Sequence, residues 1–230
     1  MRTAGMRFDP SVIRSPSSIG PSGVCARTGS RSTSGPARRY TTSEVHDLVV
    51  FAHGGGFVFC DLDSHDEFCR SMAEAVGAVV VSVDYRLAPE HPAPAAHDDL
   101  YPALEWTAAT VASYGGDPAR IVLAGDSAGG NLAVTVAIPT RAESLAGLPS
   151  AVVATAELDP PCSSGDDYAD RLAAAGVSVQ HRRFDGLFHG FLTFPALSLS
   201  EPARQEVWKM VRALVDGPDL PVTGTSGFAS

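Results

Sequence analysis

Residues 120–137 read Arg-Ile-Val-Leu-Ala-Gly-Asp-Ser-Ala-Gly-Gly-Asn-Leu-Ala-Val-Thr-Val-Ala. The apolar run 120–124 predicts a buried strand, and the small-residue run 127–137 predicts a helix that follows it directly. Between them, Gly125-Asp126-Ser127-Ala128-Gly129-Gly130 fits G-x-S-x-G, the turn that lifts a serine hydroxyl out at the N-terminus of a helix. Ser127 then sits on a tight, strained bend, and the residues two before and two after it must lack side chains that would collide with strand and helix. The pentapeptide pattern alone is common; a strand before it and a helix after it select the reading of Ser127 as a nucleophile.

Working outward, short β-branched runs alternate with longer amphipathic stretches, the signature of βαβ units and a parallel sheet. Strands are predicted at 46–52, 78–84, 120–124, 151–156 and 177–184, and helices at 64–76, 97–113, 127–137, 166–175 and 201–215. Ser64 with Glu67 three positions on predicts a capping box, and Gly176 predicts the end of the 166–175 helix. The strands are apolar throughout, as expected where helices cover both faces. The fold class is therefore α/β, a mainly parallel sheet of about five strands.

The 230 residues carry a net charge of −9, against a general nucleic-acid binder, which needs a basic face. That charge is uneven: residues 1–43 hold seven arginines against Asp9 as their one acid. A Ser-, Arg-, Gly- and Pro-rich stretch of this kind predicts a disordered basic tail, and it is also the composition of organelle transit peptides. Residues 44–216 are expected to form the folded domain and 217–230 an irregular C-terminal tail. Apolar runs fall well short of the roughly 20 residues of a membrane span. Cys25, Cys60, Cys69 and Cys162 show no CxxC pairing and no zinc-ligand spacing, which fits a reducing, cytoplasmic location with no metal.

His53-Gly54-Gly55-Gly56 follows directly on the strand 46–52. Glycines there let backbone N–H groups point at a developing oxyanion, worth roughly 3–4 kcal/mol per donor. The expected donors are Gly55, Gly56 and Ala128, the residue after the nucleophile, with Gly54 as a substitute. No Gly-Lys-Ser/Thr ending follows, so a nucleotide P-loop and its cofactor are not expected. His53 is read as a support for the loop. A nucleophilic serine also needs a base and an acid that orients it; Asp159, past the strand 151–156, and His189, past the strand 177–184, follow in that order. Asp166 and Asp167 are alternative acids, though as helix-start residues they have a simpler explanation. Phe57, Phe59, Leu187, Phe188 and Phe191 are candidates for an apolar floor or for core.

Taken together, five motifs resemble the hormone-sensitive-lipase-like esterases of the α/β-hydrolase fold. They are His53-Gly54-Gly55-Gly56-Phe57; Asp84 to Pro92 (DYRLAPEHP); Gly125 to Ala133 (GDSAGGNLA); Thr155 to Pro160 (TAELDP); and Asp185 to Phe191 (DGLFHGF). The resemblance implies Ser127, Asp159 and His189 as the triad, hydrolysis of small-molecule carboxylic esters with short or medium acyl chains, and no cofactor. It assigns Tyr85 to Pro92 to a structural turn. Members of the family usually carry cap helices and strands ahead of the His-Gly-Gly-Gly motif, and a further strand, helices and cap segment between nucleophile and acid. Here Ser127 and Asp159 stand 32 residues apart, so a shortened fold with little or no cap is expected. Two readings follow: an active esterase, or a shortened, weak or inactive relative that serves as a binding protein or is a gene remnant.

Overall fold

The computed structural model describes residues 37–40, 47–110, 121–137, 144–146, 148–194 and 196–216. The chain divides into two compact units, Met1–Val136 and Ala137–Ser230.

In the first unit, β2 (Leu48–Ala52), β3 (Val79–Val83) and β4 (Ile121–Gly125) are parallel, with β2 in the centre. Ahead of them β1 (Ala37–Tyr40) pairs antiparallel with β3. Every residue of β2 and β3 is buried, because helices cover both faces. Leu48, Val50 and Ala52 join Val79, Val81 and Val83 in a core closed by Leu100 and Ala103 of α2 (Ala95–Thr110) and Leu132 and Val136 of α3 (Ala128–Ala137). On the opposite face Phe51 meets Phe68 of α1 (Asp66–Val76), their ring centroids 5.3 Å apart.

In the second unit β5 (Ala151–Leu158) and β6 (Val179–Phe188) form a parallel pair. Between them runs α4 (Cys162–Ala174), whose Ala169 and Leu172 pack with Val177 and Val179. A short 3-10 helix, Phe191–Thr193, and α5 (Ser200–Asp216) complete the unit.

All five predicted strands and five predicted helices are present. Two expectations are corrected. Ser64 does not cap α1: the N-cap is His65 with no side-chain cap bond, because Ser64 exchanges hydrogen bonds with Asp61 instead. Helix α4 begins at Cys162, four residues earlier than predicted, since Pro161 sets the φ needed to enter it; Asp166 and Asp167 are therefore interior helix residues. Residues 37–40, within the basic stretch 1–43, are strand β1; the rest of that stretch, residues 111–113 of the second helix and the tail 217–230 lie outside the described residues.

Candidate functional site

Strand β4 ends at Gly125, and Ser127 adopts a φ of 51°, a left-handed conformation that costs a non-glycine residue about 1–2 kcal/mol. Helix α3 starts at once, with Gly129 N–H donating to Asp126 O at 2.8 Å and Asn131 N–H to Ser127 O at 3.1 Å. A Cβ on Gly129 would run into the main-chain carbonyl of Ala52, and one on Gly125 into the backbone of Gly129. Both glycines are thus required by the closeness of strand and helix.

The loop after β2 carries Gly55 at φ 117°, Gly56 at 59° and Phe57 at 66°. It is closed by Val58 and Phe59 N–H donating to Gly55 O at 3.0 and 3.1 Å. Among the described residues no hydrogen bond engages the amides of Gly55, Gly56 and Ala128, so three N–H donors belong to the same unit as Ser127.

Asp126 joins this loop to the elbow. Its Oδ1 accepts Gly54 N–H at 2.8 Å, and a Cβ on Gly54 would collide with that carboxylate. On its other side stands buried His65, with Nε2 3.3 Å from Oδ1. Behind the loop, the turn that starts at Tyr85 is a brace. Tyr85 hydroxyl donates to His53 O at 2.6 Å, and Ala88 N–H donates to Phe57 O at 2.9 Å. The brace is anchored by Arg86, whose backbone N–H and guanidinium grip buried Asp99 at 2.8–3.0 Å. His53 is fully buried and stacked on Tyr85, and burial pushes its imidazole below the ordinary histidine range despite the Nδ1 bond to Gly54 O. A neutral, enclosed ring of this kind supports the loop.

In the second unit Asp159 follows β5 and His189 follows β6. The imidazole Nδ1 of His189 lies 2.9 Å from both carboxylate oxygens of Asp159. A carboxylate only accepts, so Nδ1 carries the proton and Nε2 is the basic nitrogen. The carboxyl is mostly buried, at 14% exposure, while the imidazole is 46% exposed. Asp166 is engaged elsewhere: it accepts Thr155 hydroxyl at 2.7 Å and stands 2.9 Å from His181 Nε2, with Arg183 at 3.5 Å. Burial raises its pKa, but Thr155, His181 and the Cys162 thiol outweigh that and hold it below the usual carboxylate range. Asp167 is exposed on α4.

Of the five apolar candidates, Leu187 and Phe191 are buried core, Phe57 is half-buried and packed on the core, and Phe59 and Phe188 are exposed. Leu158 and Phe194 are exposed near Phe188, the two phenyl centroids being 5.8 Å apart. Among the described residues no group of three His, Cys, Asp or Glu side chains is arranged to hold a metal ion, and no helix is long and apolar enough to cross a membrane. Sequence reasoning missed Asp126 and Tyr85 as supports of the site, although each lies inside a motif it had singled out.

A family profile described as alpha/beta hydrolase fold matches residues 49–144 and 135–193. The carboxylesterase NlhH of Mycobacterium tuberculosis is 35% identical over 240 residues, covering 74% of each chain. This chain belongs to the hormone-sensitive-lipase-like esterase family of α/β hydrolases. The crystal structure of EstE1, a thermostable carboxylesterase cloned from a metagenomic library, superposes with a TM-score of 0.75 at 29% identity, covering 88% of this chain and 95% of that one. Gibberellin receptor GID1B of Arabidopsis thaliana is 43% identical over 102 residues, 43% of this chain and 28% of its own. The family match breaks into two segments that meet at 135–144. The NlhH alignment likewise spans 240 residues while using 74% of this chain, so about 70 of its positions have no counterpart here. Among the described residues β4 and β5 each have one strand neighbour, β2 and β6 respectively.

Proposed function

We propose that the protein hydrolyses small-molecule carboxylic esters with short or medium acyl chains, with Ser127 as nucleophile, His189 as general base and acid, and Asp159 as the orienting acid. The observation that carries this reading is the Asp159–His189 pair at 2.9 Å, which leaves Nε2 of His189 basic. Ser127 Oγ attacks the ester carbonyl carbon as Nε2 takes its proton. The oxyanion is met by the N–H groups of Gly55, Gly56 and Ala128, and the protonated imidazole then gives its proton to the leaving alcohol. Water, deprotonated by the same Nε2, opens the acyl-enzyme and restores Ser127. Leu158 and Phe188, exposed beside the Asp159–His189 pair, suit an apolar acyl or alkoxy group. Among the described residues Cys60, Cys69 and Cys162 form no disulfide, and a reducing, cytoplasmic location is part of the proposal.

The test is to incubate the purified protein with p-nitrophenyl butyrate and, separately, with a p-nitrophenyl phosphonate. Saturable turnover and one phosphonyl adduct on the Ser127 peptide are expected. Absence of both in a cooperatively folded preparation overturns the reading. It favours a binding role, as the receptor relative's name gives for that protein.

Asp126 should affect this activity without touching substrate. Asp126→Ala removes the acceptor that holds Gly54 and is expected to lower kcat for p-nitrophenyl butyrate by about 10- to 100-fold, less than outright loss of an oxyanion donor. Asp126→Asn keeps an oxygen for Gly54 N–H and should retain most of the activity.

A further inference from the structure

Strands β5 and β6 run in one register from Ala151 opposite Val179 to Ala156 opposite Phe184, a constant offset of 28 residues. Two positions on, Leu158 stands opposite Phe188, an offset of 30. Strand β6 has therefore taken in two extra residues across from Glu157, and the consequence falls on the next position along each strand. With the added residues, Asp159 and His189 leave their strands side by side. Without them, Asp159 would stand beside Leu187, and His189 would lie two residues further on, about 6.6 Å away at the rise of a parallel strand. Side chains anchored at that offset would have to leave their present rotamers to restore a 2.9 Å hydrogen bond.

The extra residues, Asp185 and Gly186, are exposed and lie between Phe184 and Leu187, both buried. Gly186 takes a φ of 68°, and a Cβ there would meet nothing within 4 Å, so its backbone angle and not crowding makes glycine the suitable residue. Its N–H donates to Glu157 Oε2 at 2.8 Å. Glu157 is exposed and has no part in the hydrophobic core, yet its side chain supplies the acceptor at the point where the ladder loses register.

We propose that Glu157 is a positioning residue for His189: by holding Gly186 N–H it fixes the β6 bulge that sets the imidazole beside Asp159. The inference rests on the reading of His189 as the base, and it concerns how the fold aims that base. Conserving the acceptor should conserve the geometry, since the side-chain oxygen of glutamine can take the same N–H. Truncation should free the bulge to sample other registers, and a misplacement near 1 Å costs on the order of 100-fold in rate.

The experiment compares Glu157→Ala, Glu157→Gln and Gly186→Ala with the natural protein. The readouts are kcat and KM for p-nitrophenyl butyrate, the thermal midpoint, and the hydrogen-bonded His189 Nδ1–H proton by NMR. Glu157→Ala is expected to lower kcat 10- to 100-fold with KM within about 2-fold and the thermal midpoint unchanged, and to broaden or abolish the Nδ1–H signal. Glu157→Gln should stay within about 3-fold of the natural kcat and keep the signal, and Gly186→Ala should resemble Glu157→Ala. Natural activity and an intact signal in Glu157→Ala overturn the proposal, as does a Glu157→Gln variant that loses as much as the alanine variant. If the natural protein turns over no ester, the functional reading fails, and the Nδ1–H signal still decides the positioning role.

Discussion

Ser127→Ala is expected to lower kcat for p-nitrophenyl butyrate by about 10⁶-fold, with no phosphonyl adduct and an unchanged circular dichroism spectrum. The size follows from the chemistry: without Oγ the enzyme can only orient a water and stabilise an oxyanion, and knockouts of a serine nucleophile elsewhere lose about this much. Fold is spared because Ser127 stands at φ 51° with Gly125 and Gly129 bearing the close contacts, so losing one oxygen leaves the backbone path intact. A second expectation separates this from general damage. Ser127→Ala combined with His189→Ala should be no worse than either alone, because nucleophile and base act as one unit. Activity within about tenfold of the natural protein in Ser127→Ala would remove Ser127 from the mechanism and leave the elbow as a structural turn.

The elbow and the strands were legible in the sequence because their constraints are local. Gly125, Ser127 and Gly129 sit at fixed spacing between an apolar run and a small-residue run, and each glycine is explained by one close approach. Register is different. Nothing in Asp185-Gly186-Leu187 announces that two residues leave the ladder, because the decision depends on Glu157 across the sheet. Residues 185–188 consequently read as loop when they belong to β6. Strand β1 escaped notice for a related reason: Ala-Arg-Arg-Tyr lies in an arginine-rich stretch, and an edge strand can be recruited by main-chain bonds to β3 alone. The Ser64 cap failed through competition, since Asp61 offered Ser64 reciprocal bonds while His65 turned toward Asp126. Asp126 itself was legible as part of G-x-S-x-G, but its bond to Gly54 spans 72 residues of sequence and only the fold shows it.

Asp159→Asn is expected to lower kcat by about 10⁴-fold, the loss measured when a serine hydrolase's orienting carboxylate becomes an amide. The geometry explains why an isosteric change should be so costly. Nδ1 of His189 lies at 2.9 Å from both carboxylate oxygens, so converting either oxygen to NH2 places a donor against the Nδ1 proton. The imidazole can relieve this clash by moving its proton to Nε2, and a ring protonated there cannot accept from Ser127. Asp159→Ala imposes no such preference, and water can reach the 46% exposed imidazole, so the alanine variant should be no more damaged than the asparagine variant. Asp166→Asn supplies the contrast. Its carboxylate serves Thr155, His181 and Arg183, and its loss should leave kcat within about 3-fold, a change appropriate to a group that does not touch the base. The measurement is the kcat of all three variants at one pH, with the His189 tautomer read by nitrogen NMR. A large loss in Asp166→Asn with near-natural Asp159→Asn would transfer the orienting role to Asp166. Equal and small losses in both would show that His189 works as a base without a carboxylate partner.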